Sequence, residues 1–459
     1  MFSRGLSSNY QNAMAEADLI IRGAKVCLPD GIAETDVAVA DGKICAIGEE
    51  LSSKQTIDAD GLLLMPGAID AHVHYNEPGR TDWEGWATGS LASAAGGATC
   101  VFEMPLNAFP PTLDAESFRA KRVAAEASSV VDFALWGGLT PLNLDKLSEL
   151  AECGVIGFKA FMSSSGTPDF ERSDLKTLRA GMKQAAQLGL PVAVHAEDEH
   201  MIAVLVAEAK SAGKVGPRDY LATRPITAEV AAISEACDIA GETGCRLHVV
   251  HVSCGEGIDA IHEARQRGVD VTAETCPHYL AFNDDDVVAI GAPAKCAPPI
   301  RAEKVRADMV ARVQRGEIDT LGTDHSPCPP AMKESDDFFI IWGGIMGAQQ
   351  FVGPLFAAGL DAATIARLTG PNVAKRFGLE GRKGAIVVGH DADLLLIDPK
   401  KEHLVTLEEL LTRHRLSPYA GRTFPVSVHS VWVRGQPAWS ADSGRGASRG
   451  RLVEGVRVL

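Results

Sequence analysis

The chain has no surplus of positive charge, no paired-cysteine motif and no long apolar run, and each lack removes a class of function. Its 44 lysines and arginines are outnumbered by 60 aspartates and glutamates, giving a formal net charge of -16 over 459 residues. Nucleic acid and anionic membrane surfaces reward a basic patch, so neither is expected as a partner. Ten cysteines run from Cys27 to Cys328 without one C-x-x-C pair, which points away from a disulfide framework and from a cysteine zinc site. No stretch approaches the roughly 18 uninterrupted apolar residues of a membrane span. The first sixteen residues, MFSRGLSSNYQNAMAE, are polar and hold no apolar core of signal-peptide length. They read as a disordered extension, residues 1–16. A soluble, cytoplasmic protein acting on a small, neutral or weakly charged molecule is expected.

What the chain does have is enough apolar content, 46%, for a large core, and barrel folds of roughly 250 residues or more commonly form one domain. Residues 17–66 show short β-rich runs punctuated by Asp41-Gly42 and Asp60-Gly61 turns. Matching texture returns in GAIVVGHDADLLLIDP and VHSVWVRGQP, so 17–66 and 376–440 are expected to form one small β-sandwich-like subdomain from both chain ends. The Gly/Ser/Arg-rich stretch SADSGRGASRGR makes 441–459 read as a solvated, mobile tail. Between them, residues 67–375 carry eight apolar runs: GAIDAHVHY, ATCVFEMP, VVDFALWGG, VIGFKAF, PVAVHAE, RLHVVHVS, VDVTAETC and IDTLGTD. Most are followed by an amphipathic segment. Eight strand-helix units predict an α/β fold of the TIM (β/α)8 type, with the active site at the C-terminal strand ends.

Those ends carry chemistry. In GAIDAHVHY, strand alternation places Asp70, His72 and His74 on one face, expected toward the barrel axis, and Ile69, Ala71 and Val73 on the other. Two imidazoles side by side suit a strand-borne metal site. Two later strands close on His195 and His251, and the eighth on Asp324; His248, three residues before His251, reads as a structural histidine on the opposite face. Taken singly, a buried histidine is more often a satisfied core residue and a terminal aspartate often a helix cap. Ligand types on strands one, four, five, six and eight together are hard to assign to capping. Lys159 sits among Val155, Ile156, Phe158, Ala160, Phe161 and Met162, where a lysine is rarely buried unless paired or altered. Burial lowers its pKa, and a neutral amine can add carbon dioxide to become a carbamate, an anionic two-oxygen ligand able to bridge two metals. Two dications, one carbamate, the Asp324 carboxylate and one hydroxide sum to +1, whereas an ammonium beside two dications would be repelled.

His72-x-His74, Lys159, His195, His251 and Asp324 together resemble the ligand set of the cyclic amidohydrolases, the family of dihydroorotase, dihydropyrimidinase/hydantoinase and allantoinase. The resemblance runs from about residue 17 to 437. Within the family, EPGRTDWEGW, EMPLN, GCRLHVVHVS, AKCAPPIR, DHSPCPPAMK, WGGIMGAQ and SPYAGR are most similar to the allantoinase branch. Dihydroorotases are similar in placing an arginine just after the histidine pair, where this chain has Tyr75 and Asn76, and an Asn directly after Met-Pro, where it has Leu106 before Asn107. Hydantoinases carry a tyrosine five residues past the lysine, where this chain has Ser164. The resemblance implies hydrolysis of a cyclic amide, with allantoin opened to allantoate. It implies two divalent ions, zinc first, with iron, cobalt, nickel or manganese acceptable, bridged by Lys159 as N6-carboxylysine. Asp324 would be the catalytic base, with Asn107, Ser164, the backbone at Ala297, and Ser326 as substrate contacts and a homotetramer as the assembly. A hydantoinase/dihydropyrimidinase is the alternative. A non-catalytic scaffold is a third reading, opposed by retention of all six ligand positions.

Overall fold

The structure, a computed structural model, describes residues 17–48 and 51–458; the expected extension 1–16 lies outside them. The first five strands are β1 (Ala17–Leu28), β2 (Gly31–Ala40), β3 (Lys43–Gly48), β4 (Ser53–Asp58) and β5 (Leu63–Pro66). Asp41 and Gly42, with φ of 51° and 75°, turn β2 into β3 in the way an Asp-Gly pair favours.

Eight barrel strands follow: β6 (Ala68–Val73), β7 (Ala98–Glu103), β8 (Asp132–Leu135) with its continuation β9 (Gly137–Gly138), β10 (Phe158–Phe161), β11 (Val192–His195), β12 (Leu247–Val249), β13 (Val271–Thr275) and β14 (Thr320–Leu321). All neighbours pair in parallel, and a bridge between Val73 and His325 joins the last strand to the first. The chain then returns to the first sheet with β15 (Leu394–Asp398), adds the small hairpin β16 (His403–Leu404) and β17 (Thr423–Phe424), and ends in β18 (Ser427–Val433), β19 (Gln436–Ser440) and β20 (Gly444–Arg445). Strands from both chain ends thus share one nine-stranded sheet, in the order β20-β19-β18-β15-β5-β1-β2-β3 with β4 on β1. It closes around its own core of Ile21, Val26, Val37, Val39, Leu64, Leu394, Leu396 and Trp432.

Phe377 marks the barrel axis. Its ring meets Phe102 of β7 at 5.2 Å, Trp136 between β8 and β9 at 5.3 Å, and His248 of β12 at 5.3 Å. One ring can touch strands from opposite sides of the barrel only from inside it. Ile69, Ala71, Ala193 and Val250 belong to the same buried cluster. The expectation that Ile69 and Ala71 face the helices is therefore corrected, as is that of His248 on the outer face. Strict alternation fails near the strand ends for local reasons. The β6–β7 register shifts between Asp70 and Val73, and His251 takes a φ of 44°. Residues on both sides of such an irregularity can then point inward.

The tail is not a free end. β8 pairs with β7 on one side, and its other edge is open until β9 reaches β10. The tail covers that edge: the Phe133 N–H donates to Arg451 O at 3.0 Å and the Val453 N–H to Phe133 O at 2.8 Å, with Val453 fully buried. Composition suggested solvation, but unpaired backbone groups on a strand edge recruit whatever chain lies beside them. At the same junction Lys383 Nζ lies 2.7 Å from Asp132, 2.6 Å from Asp393 and 3.2 Å from Asp391, and Arg434 also binds Asp132. These three carboxylates already hold cations of the chain itself. They serve as a weld between barrel and sheet. Among the described residues, no helix is long and apolar enough to cross a membrane.

Candidate metal centre at the barrel mouth

His72, His74 and Asp324 converge at the C-terminal strand ends. Asp324 Oδ1 lies 3.2 Å from His72 Nε2 and 3.4 Å from His74 Nε2. Donors about 3.3 Å apart are what a common ion with bonds of about 2.0–2.1 Å requires in tetrahedral geometry. On the other side of the site His195 Nδ1 faces His251 Nε2 at 3.1 Å. The rings of His72 and His251 stand 5.4 Å apart, which brings the two groups into one cluster.

Buried carboxylates set the tautomers. His72 Nδ1 donates to Glu274 Oε1 at 2.9 Å, and His195 Nε2 to Glu197 Oε2 at 2.8 Å. Each bond leaves the lone pair of the other ring nitrogen turned into the cluster, as a metal ligand needs. Glu197 is in turn paired with Arg224. Burial raises the Glu197 carboxyl, but Arg224 and His195 outweigh it and bring it to about 2. A Cβ on Gly322 would stand 2.9 Å from Glu274 Cδ and 3.1 Å from His72 Cβ, so glycine leaves the room in which they meet. His74 Nδ1 lies 3.3 Å from Asn107 Nδ2. Glu274, Glu197 and Arg224 were missed from sequence. The two glutamates are signalled only by a carboxylate inside a barrel strand and one two residues past a strand-end histidine, and Arg224 carries no local signal.

Burial lowers the pKa of all four imidazoles, which keeps them neutral near pH 7. It also pulls the Lys159 ammonium down to about 7, against the pull of Asp324 and Glu274. Asp324 behaves oppositely: burial would raise it, but His72 and His74 hold it well below the usual carboxylate range. Lys159 is fully buried, its Nζ 4.9 Å from the Phe161 ring centroid and without a hydrogen-bond partner. His251 Nδ1 is likewise buried and unpartnered.

Four of the six non-glycine residues with positive φ among those described ring this site: Asn76, Asn107, His251 and Asp324, at 64°, 69°, 44° and 46°. Such strain persists where surrounding structure over-determines it, and it clusters at functional sites. His325, next to Asp324, accepts from the Gly347 and Ala348 N–H groups through Nδ1, and its Nε2 lies 3.5 Å from Glu84 Oε2.

Of the expected substrate contacts, Asn107 reaches the cluster through His74. Ser326 is buried, its N–H donating to Ile345 O at 2.9 Å. Ala297 is half-buried in the loop after β13. Ser164 does not arrive: it is exposed, and its N–H donates to Glu199 Oε2 at 2.7 Å on the rim. Ser163, in step with Lys159 and Phe161, is the serine buried at this strand end.

A model of the amidohydrolase family matches residues 63–438. The chain is 51% identical over 451 residues to an allantoinase of Rubrobacter xylanophilus, covering 97% of this chain and 99% of that one. It is 42% identical over 437 residues to an allantoinase of Escherichia coli O1:K1 / APEC, covering 93% and 96%. Among solved structures, the L-hydantoinase (dihydropyrimidinase) of Arthrobacter aurescens matches with a TM-score of 0.92 at 32% identity, covering 95% of this chain and all of that one.

Proposed function

The chain belongs to the amidohydrolase family, and from that premise we propose that it is an allantoinase, opening the hydantoin ring of allantoin by hydrolysis to give allantoate. The observation that carries this is the cluster of His72, His74 and Asp324 facing His195, His251 and an unpartnered Lys159, in a chain alike over nearly its whole length to allantoinases. Two divalent ions, zinc first, fit these donors. His72, His74 and Asp324 would hold one and His195 with His251 the other, bridged by Lys159 as its carbamate. An orphaned amine among neutral imidazoles, with no carboxylate bonded to it, supports that modification.

When bound, the ions supply an acidified water and a polarised ring carbonyl. The chain supplies the rest. Glu274 and Glu197 keep His72 and His195 in one orientation and one tautomer. Asp324, ionised at neutral pH, accepts a proton from the attacking water and returns it to the ring nitrogen as the C–N bond breaks. Water and cyclic amide are consumed, and one carboxylic acid with its freed N–H is formed. Asn107, Ser326 and the backbone at Ala297 serve as ring contacts, with Ser163 in the place assigned to Ser164. We read 67–375 as the catalytic barrel, and 17–66 with 376–440 as its β-rich support. A cytoplasmic homotetramer completes the proposal.

A hydantoinase/dihydropyrimidinase is the second reading, favoured by the TM-score of 0.92 to such an enzyme. Steady-state assay of one purified sample against allantoin, hydantoin and dihydrouracil, with its metal content measured, decides between them. Allantoin is expected to have the highest kcat/KM. Preferential turnover of the other two would replace the proposal with the second reading.

A further inference from the structure

One side chain crosses the mouth of the barrel. Counting around the ring from β6, β10 stands fourth and β14 eighth, so the loops after them lie on opposite sides of the opening. Trp342 belongs to the loop after β14, yet its Cζ3 lies 3.8 Å from where a Cβ on Gly166 would be, in the loop after β10. Its indole also packs edge to face on Trp83, in the loop after β6, with centroids 5.0 Å apart and planes at 76°. Contacts with loops one and four from a position on loop eight make this ring a bar across the opening.

The backbone beneath the ring is held in place. The buried Lys333 Nζ donates to Trp342 O and Gly344 O, both at 2.8 Å, and to Ala292 O at 3.0 Å. The Trp342 N–H donates to Met332 O at 2.9 Å. A ligand entering the mouth therefore meets an indole on a fixed base.

The loops around this opening carry several polar atoms buried without a hydrogen-bond partner, and three of them are Trp342 Nε1 on loop eight, Ser163 Oγ on loop four and Asn107 Oδ1 on loop two. They are a donor, a donor-acceptor and an acceptor. A ureido group carries the matching set, one carbonyl and several N–H bonds. An alkyl or aryl group would leave all three unpaired, and sites built to hydrogen-bond reject analogues that cannot.

Resting on the allantoinase reading, we propose that Trp342 is a specificity-determining residue: its indole roofs the bound ring, its N–H serves the ureido carbonyl, and its bulk excludes large apolar substituents. The test compares wild type, Trp342→Phe and Trp342→Ala, matched for metal content and circular dichroism, on allantoin, hydantoin and 5-benzylhydantoin. Trp342→Phe should lose about tenfold in kcat/KM on allantoin, one hydrogen bond's worth, and stay within about twofold on hydantoin. Trp342→Ala should gain about tenfold or more on 5-benzylhydantoin as the roof is removed. An unchanged allantoin-to-hydantoin ratio in Trp342→Phe, or no gain on the benzyl compound in Trp342→Ala, overturns the proposal. Should Trp342→Ala fail to fold, the ratio in Trp342→Phe decides alone. A wild type inactive on allantoin but active on hydantoins would defeat the functional reading instead, while the benzyl arm would still report whether the indole closes the mouth.

Discussion

Lys159 is the residue on which the proposed chemistry turns. An ammonium with no hydrogen-bond partner, fully buried beside imidazoles, is costly as it stands. As a carbamate it would give the cluster the anion it lacks. Lys159→Ala should therefore reduce metal content to near background and activity by at least about a thousandfold, the range set by loss of a catalytic metal centre's contribution. Added short-chain carboxylates should restore part of both, because they offer the same two oxygens in the space vacated. Full activity in the alanine variant, measured with metal analysis on the same preparation, would sink the bridge. Glu197 belongs to the same scale. Glu197→Gln keeps the shape but weakens the hold on His195, and metal affinity should fall about 10–100-fold by competition with a chelator.

At the scale of elements, the site depends on strands that alternate through their length and break alternation at their ends. The regular part packs around Phe377, which gathers β7, β8 and β12 on the axis. Phe377→Ala would empty the centre of that cluster and should cost about 3–5 kcal/mol in a denaturant titration. If the loss is under about 1 kcal/mol, Phe377 is not the axial plug described. The irregular part, the register shift in β6 and the positive φ at His251 and Asp324, aims donors inward from positions that simple parity assigns elsewhere.

For the whole molecule, the joint between barrel and sheet is ionic and buried. Asp391 accepts from Lys43 at 2.7 Å and lies 3.2 Å from both Lys383 and Arg382. Burial raises its carboxyl, but Lys383 and Lys43 outweigh that and bring it to about 2. A carboxyl lower in the folded state than in the unfolded chain stabilises above the unfolded value, near pH 4. That contribution is lost as pH falls through about 2. Asp391→Asn should accordingly cost about 1–2 kcal/mol at pH 7, with the gap from wild type closing between about pH 4 and 2. A gap that stays constant over that range, followed by thermal unfolding, would show that the carboxylate's charge is not what matters there.

The residues that the proposed chemistry calls on are legible in the chain: apolar runs ending in His72, His74, His195, His251 and Asp324, and one lysine inside a run, mark strands and their ends without any contact being known. Period and composition determine that much because they are local properties. Tertiary structure alone decided three other things. It turned Ile69, Ala71 and His248 inward, since register is settled between strands and not along one. It packed a Gly/Ser/Arg-rich tail onto the open edge of β8, since an unpaired edge takes a partner by position and not by composition. And it set Glu274 against His72, 202 residues away, and Trp342 across the mouth to Gly166, because only ring closure brings such distant segments within reach.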